Sequence, residues 1–340
     1  MVPRIITRTH YQVDEPAYLR VLIRDCSTPT SSDYSERLAR RLTDRLKALG
    51  KDFNFAAAKY CVDLGKGLGL LTENNFWTWS AHVLQLISAK ETGTSLDLNL
   101  SLQEQIFYFR HFLEHDGAAF VFLGRKALHV KKLPEQDKDW NDVANEMMDS
   151  VYKSYLDIAT DIQDRAGIRL LLAKRTRHPY TGKSGSHQCF IHLKTMSRIG
   201  LLESDGREYF KQTASRSSLE RFLQVVPDFK ALESVILKKE WPRVASFIFG
   251  NDEETKPAWR NDGLLDRACD IYSRVMATGA TLCPLNSLIE TIQIGQIVES
   301  IEPISYDELM AIFRQAQAKT PTKIKFQVDR MGRPAFISFS

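Results

Sequence analysis

Two histidines one helical turn apart, with a glutamate beside them, are the residues of this chain best spaced for metal chemistry. His111-Phe-Leu-Glu-His115 has the inverted zinc-protease pattern, in which two imidazoles hold a metal next to a carboxylate base. At about 100° per residue, Leu102, Ile106, Phe109 and Leu113 form one stripe, and both histidines fall near the opposite side. The spacing therefore predicts a solvent-facing pair, with Asp116-Gly117 ending the helix. His178, His187, Cys189 and His192 crowd a second segment. Only Cys189 and His192 have usable ligand spacing there, whereas structural zinc needs two such pairs, and Cys189 is expected in packing. Thr181-Gly-Lys-Ser184 ends like a phosphate-cradling loop, but the full pattern needs glycine five residues before Gly182, where Arg177 stands. Gly65-Lys-Gly-Leu-Gly69 lacks dinucleotide spacing and reads as a helix terminus. No serine elbow, His-Glu-x-x-His or paired-cysteine motif occurs, and no carboxylate cluster stands out. These residues predict a non-enzymatic protein with no cofactor and no metal.

Charge is the remaining chemistry. The chain carries 46 Lys+Arg against 42 Asp+Glu, a net charge of +4. From Arg165 through Arg221 there are twelve basic residues against four acidic ones, a local +8. Its first part, Arg165 to Gly200, holds eight basic residues and no acid, densest at Lys174-Arg-Thr-Arg-His178. Such clustering neutralises phosphates and releases their condensed counterions, and it also occurs on plain solvated faces.

The elements around this segment repeat. Arg198-Ile-Gly-Leu-Leu-Glu-Ser-Asp-Gly-Arg-Glu-Tyr-Phe210 aligns without a gap to Gly67-Leu-Gly-Leu-Leu-Thr-Glu-Asn-Asn-Phe-Trp-Thr-Trp79. In both, a glycine ends a helix and a two-residue turn, Asn74-Asn75 or Asp205-Gly206, closes a hairpin. Upstream, Leu38, Leu42, Leu46 and Leu49 predict an amphipathic helix behind Ser35 that stops at Gly50, and a second helix from Asn54 to Lys66. Further helices are expected at Asp142 to Ile162 and Leu219 to Lys239. The carboxy end offers a looser third copy. There Ser305 caps a helix through Leu309, Ile312 and Phe313, followed by strands around an Arg330-Met-Gly-Arg333 turn. In its first strand Ile324, Phe326 and Val328 share one face, with Lys323, Lys325 and Gln327 on the other.

His192-Leu-Lys, Met196 and Gly200-Leu-Leu together resemble the recognition helix and wing entry of winged-helix repressors of the arsenic-repressor and multiple-drug-resistance type. The resemblance implies a recognition helix from Ser186 to Ile199 lying in a major groove, with a wing at Asp205-Gly206. Gln188, His192, Lys194 and Thr195 are then expected at the groove, and Arg175, Arg177, Lys183, Arg198 and Arg207 on phosphates. Arg330 and Arg333 are expected on a phosphate or a narrow minor groove if the third hairpin is a wing. Where those families place small or polar residues, this chain has Phe190 and Ile191.

With 43% hydrophobic and 26% charged residues, the composition is that of a globular chain of two or three domains. The longest apolar runs are too short to span a bilayer. The amino terminus interrupts its apolar residues with Arg4, Arg8 and His10, unlike a signal peptide. Five unpaired cysteines fit a reducing compartment. A soluble, cytoplasmic, mainly α protein with small β-hairpins is therefore expected, built from tandem winged-helix modules joined by helices. Residues 1–34 form an arm, 35–130 a first module with a helical extension, 140–249 a second, basic module with helices, and 264–340 a third. The expected partner is double-stranded DNA, with the chain a regulator or the DNA-engaging subunit of a larger complex. The alternative is an adaptor or assembly protein whose winged helices bind other proteins, since Phe190 and Ile191 do not suit a groove and a fold does not fix its use.

Overall fold

The computed structural model describes residues 15–28, 34–88, 96–129, 133, 139–204, 209–210, 218–250 and 261–340. Among these the chain is mainly helical, with a small three-stranded antiparallel sheet. Helix α1 (Pro16–Val21) runs on into a π turn at Leu22–Cys26, and α2 (Ser35–Ala48), α3 (Phe55–Gly67) and α4 (Trp79–Ile87) follow. Leu38, Leu42 and Leu46 of α2 are buried, while Arg37, Arg40 and Arg41 on its other sides are exposed, as their spacing predicts. Asn54 caps α3 by accepting the Ala57 N–H at 2.8 Å. Leu71 bridges Trp77 beyond it, around a turn in which Asn75 takes the left-handed region at φ 62°.

Helix α5 (Leu102–His129) runs straight through Asp116 and Gly117, so the expected helix end there is corrected. The glycine serves close packing. A Cβ at Gly117 would lie 2.8 Å from Leu232 Cδ1, and one at Gly124 would lie 2.9 Å from Leu219 Cδ1. Next come α6 (Trp140–Ile158), α7 (Ile162–Arg177), α8 (Lys183–Arg198), and a short antiparallel pair, β1 (Glu203–Ser204) with β2 (Tyr209–Phe210). The helix expected to reach Ile162 stops at Ile158, because Asp161 caps a new one by accepting the Gln163 and Asp164 N–H groups. Likewise, the helix expected over Leu219 to Lys239 is two: α9 (Ser218–Val225) and α10 (Phe229–Leu237). Pro227 cannot continue the first, and Asp228 caps the second. Helix α11 (Trp241–Phe249) follows.

The last stretch is α12 (Asn261–Ala277), β3 (Cys283–Pro284), α13 (Leu285–Val298), α14 (Tyr306–Lys319), β4 (Ile324–Val328) and β5 (Pro334–Phe339). Its strands lie in the order β3-β5-β4. Ser305 and Glu308 form a reciprocal capping box that starts α14. Leu264, Ala268, Leu288, Leu309, Phe313, Ile324 and Ile337 fill one apolar core. A bulge between Gln327 and Val328 turns Val328 outward, to 59% exposure, correcting the expected alternation at that residue. α13 is buried on all sides. Its Gln293 and Gln296 hold the backbone of Ile304 at 3.0 and 3.2 Å and so fix the loop that leads to α14.

The chain divides into two compact units. One takes its described residues from Met1–Pro16 and Tyr108–Val244, the other from Ala17–Phe107 and Ala245–Ser340. In the second, Arg20 and Glu104 make a buried ion pair at 3.0 Å, and the Ser287 hydroxyl donates to the Trp79 carbonyl at 2.7 Å.

Candidate nucleic-acid interface

Helix α8 begins at Lys183, three residues before the expected Ser186, and ends within one residue of the expected Ile199. Gly200 adopts φ 79°, its N–H bonds the Ser197 carbonyl at 3.1 Å, and the Leu201 N–H reaches back to Met196 at 2.9 Å. The aligned copy closes in the same way, with Gly69 at φ 70° and the Leu70 N–H on Gly65 at 2.8 Å. What the sequence does not reveal is which face of α8 is free. Gln188, His192 and Thr195 are 3%, 0% and 0% exposed, so the expectation that they meet a groove is corrected: they are core residues. The His192 Nε2 pairs with Asp116 of α5 at 2.9 Å, its Nδ1 contacts the Gln188 carbonyl, and the Thr195 hydroxyl donates to the Ile191 carbonyl. Phe190 packs edge-on against Trp140, and Ile191 is buried. Cys189 is fully buried, and burial pushes its thiol pKa up.

The expected phosphate contacts separate. Arg198 is paired with the buried carboxylate of Glu15 at 2.8 Å, so its charge is already used. Arg175 lies 3.8 Å from the Tyr180 ring centroid. Lys194 is half-buried and Arg177 exposed. Lys183 opens α8, its side chain being outside the described residues, as is the whole of Arg207.

The carboxy end carries a second set of exposed basic residues. Between Arg314 and Arg333 there are six basic residues and one acid, Asp329. Arg314, Lys319, Lys323, Lys325, Arg330 and Arg333 are all exposed, and the first five have no ion-pair partner among the described residues. Leu309, Phe313 and Ala316 face the core, which turns Ala311, Arg314, Gln315 and Ala318 of α14 outward. Two alanines leave that helix face flat between an arginine and a glutamine, the side chains whose forked donors and acceptors match guanine and adenine edges. The Asp329 carboxylate builds the hairpin tip. It accepts the Met331 N–H at 2.8 Å and the Arg333 N–H at 2.9 Å, and it pairs with the Arg333 guanidinium. Those bonds, the Arg333 backbone N–H above all, hold its pKa below the usual carboxylate range. Gly332 supplies the positive φ of 75° that the turn requires. Arg330 and Met331 are thereby presented at the tip of an ordered hairpin. The α14 residues are not marked by the sequence because the six charges are spread over twenty residues.

The histidine motif on α5 is rearranged too. His111 is 1% exposed, not solvent-facing, because α5 is buried on more than the one side its stripe marks. Its ring stacks parallel to that of His115 at 6.4 Å, and Nε2 lies 3.3 Å from the Arg110 guanidinium. Parallel rings beside a cation do not converge on a metal. No group of three or more His, Cys, Asp or Glu positioned for a metal occurs among the described residues, and no described helix is long and apolar enough to cross a membrane. No protein-family model, curated protein or solved structure matches the chain.

Proposed function

We propose that this chain is a non-enzymatic protein that binds double-stranded DNA through winged-helix modules, as a regulator or as the DNA-engaging subunit of a larger complex. The observation that carries the reading is the carboxy-terminal arrangement. Three helices pack with a three-stranded sheet whose last two strands form an arginine-tipped hairpin, and Arg314 and Lys319 of the third helix are exposed without ion-pair partners among the described residues. In this reading α14 lies in the major groove with Arg314 and Gln315 toward base edges. Lys319, Lys323 and Lys325 meet the backbone, and the hairpin is a wing with Arg330 on a phosphate or in the minor groove. Asp307 and Glu308 stand at the first turn of α14, and Glu308 is committed to its cap.

The same reading gives α6, α7, α8 and the β1–β2 pair the layout of a second winged helix whose recognition face is closed by α5. That module is structural and is not a reader of DNA. The test is retention of the full chain on random-sequence duplex. Binding at low salt that is released as salt rises supports the reading, because phosphate contacts release counterions. Failure to bind duplex at low salt refutes it and favours the adaptor reading.

A further inference from the structure

Helix α7 places large apolar side chains in water. Ile162 is 83% and Leu170 is 73% exposed, and Ile168 is the only buried side chain of the helix. A helix held by one buried residue and two backbone-directed arginine bonds would ordinarily carry polar groups on its outer side. Here the inward side is secured by Ile168, by Arg165, which donates to the Leu156 and Ala159 carbonyls at 2.9 and 3.0 Å, and by Arg175 on Tyr180. At about 100° per residue the outward side reads Ile162, Ala166, Leu170 and Ala173, spaced i, i+4, i+8 and i+11, and all four are exposed. Arg169 flanks this stripe on one side, Lys174 on the other, and Arg177 ends it. None of the three has an ion-pair partner among the described residues.

We propose that this face of α7 is a docking surface for an acidic amphipathic helix of a partner protein. The two alanines let a second helix approach closely, Ile162 and Leu170 supply the apolar knobs, and the unpaired cations select glutamate or aspartate at the partner's flanks. A second copy of the chain fits less well, because α7 carries five basic residues against one acid and would repel itself. Duplex DNA fits less well because Ile162 and Leu170 would be pressed against phosphates. A bilayer fits less well because Arg177 lies within the stripe and two of the four apolar positions are only alanine. α7 and α14 belong to different units of the chain, and the use of this face does not depend on the DNA reading.

The experiment is fluorescence anisotropy of the full chain with a labelled synthetic helix of about 20 residues, leucine at i, i+4, i+7 and i+11 and glutamate beside them. A single helix-on-helix contact of this size is small and transient, so a dissociation constant on the order of 10 μM is expected. Leu170→Glu should weaken binding by about tenfold or more. Arg169→Glu with Arg177→Glu, which keeps the apolar stripe, should do the same, and both variants should melt at the wild-type temperature because the altered residues are exposed. The same peptide with lysine for glutamate should not bind. Equal affinity for wild type and variants, or no binding of the acidic peptide at about 1 mM, overturns the proposal. So does competition for the face by anionic vesicles or duplex, or sedimentation showing a dimer that Leu170→Glu dissolves.

Discussion

His82 is buried on α4 with its ring edge-on to Trp77 at 5.3 Å, and its Nδ1 has no hydrogen-bond partner among the described residues. Burial holds its pKa down from 6.5 to about 4. The unfolded chain therefore takes up a proton that the folded chain refuses between those two values. The contribution to stability is full above the unfolded value and falls as the pH drops through the window, by about 3 kcal/mol by the time it reaches the folded pKa. Urea unfolding of wild type against His82→Gln should show this loss of stability on acidification in the wild type alone. The buried pair of Asp116 and His192 gives a second prediction. Asp116→Ala leaves an imidazole nitrogen unpaired at a fully buried site and should cost about 2–3 kcal/mol in the same measurement. Neither environment is legible in the sequence. His192 and His111 look there like exposed histidines, and the residue that pairs with His192 lies 76 positions away. Cys189 is legible because the winged-helix resemblance puts it on the buried side of the helix, where it lies.

At the scale of elements, ends are easier to read than faces. Gly69, Gly200 and Ser305 mark their helix termini through local backbone chemistry, which needs no knowledge of the rest of the molecule. Ser305→Ala removes the acceptor for the Glu308 N–H and should destabilise the helix by about 1 kcal/mol, read as a shift in urea midpoint. The break at Pro227-Asp228 is also written in the sequence, as a proline followed by a capping side chain. The face of α8, by contrast, is decided by α5 and α6, and the flat outward face of α14 by the sheet beneath it. The hairpin tip carries a prediction of its own. Arg330→Ala with Arg333→Ala should leave the melting temperature nearly unchanged, since both side chains are exposed, yet lower duplex affinity. Loss of stability with normal duplex binding would assign the turn to packing alone.

For the whole molecule, the even charge balance conceals two basic segments whose side chains are used differently. The α7–α8 segment, the densest in sequence, spends Arg198 on Glu15 and stacks Arg175 on Tyr180, and three of its expected groove residues are core. The sparser carboxy-terminal set keeps five of its six charges free of ion pairs among the described residues and mounts them on one helix and one hairpin. Charge density along the sequence ignores where each side chain is aimed, which is why it marks α8 and passes over α14.

That the carboxy-terminal surface meets DNA is tested most directly by the salt dependence of duplex binding. Anisotropy of a labelled random duplex should give a binding constant that falls linearly with the logarithm of salt for the wild-type chain. In the variant Arg314→Glu, Lys319→Glu, Arg330→Ala and Arg333→Ala the slope should shrink by about one for each phosphate no longer neutralised. Lys194→Glu on α8 should leave it unchanged. A slope that the four changes do not alter, or that Lys194→Glu alone reduces, contradicts the assignment of DNA to the carboxy-terminal surface.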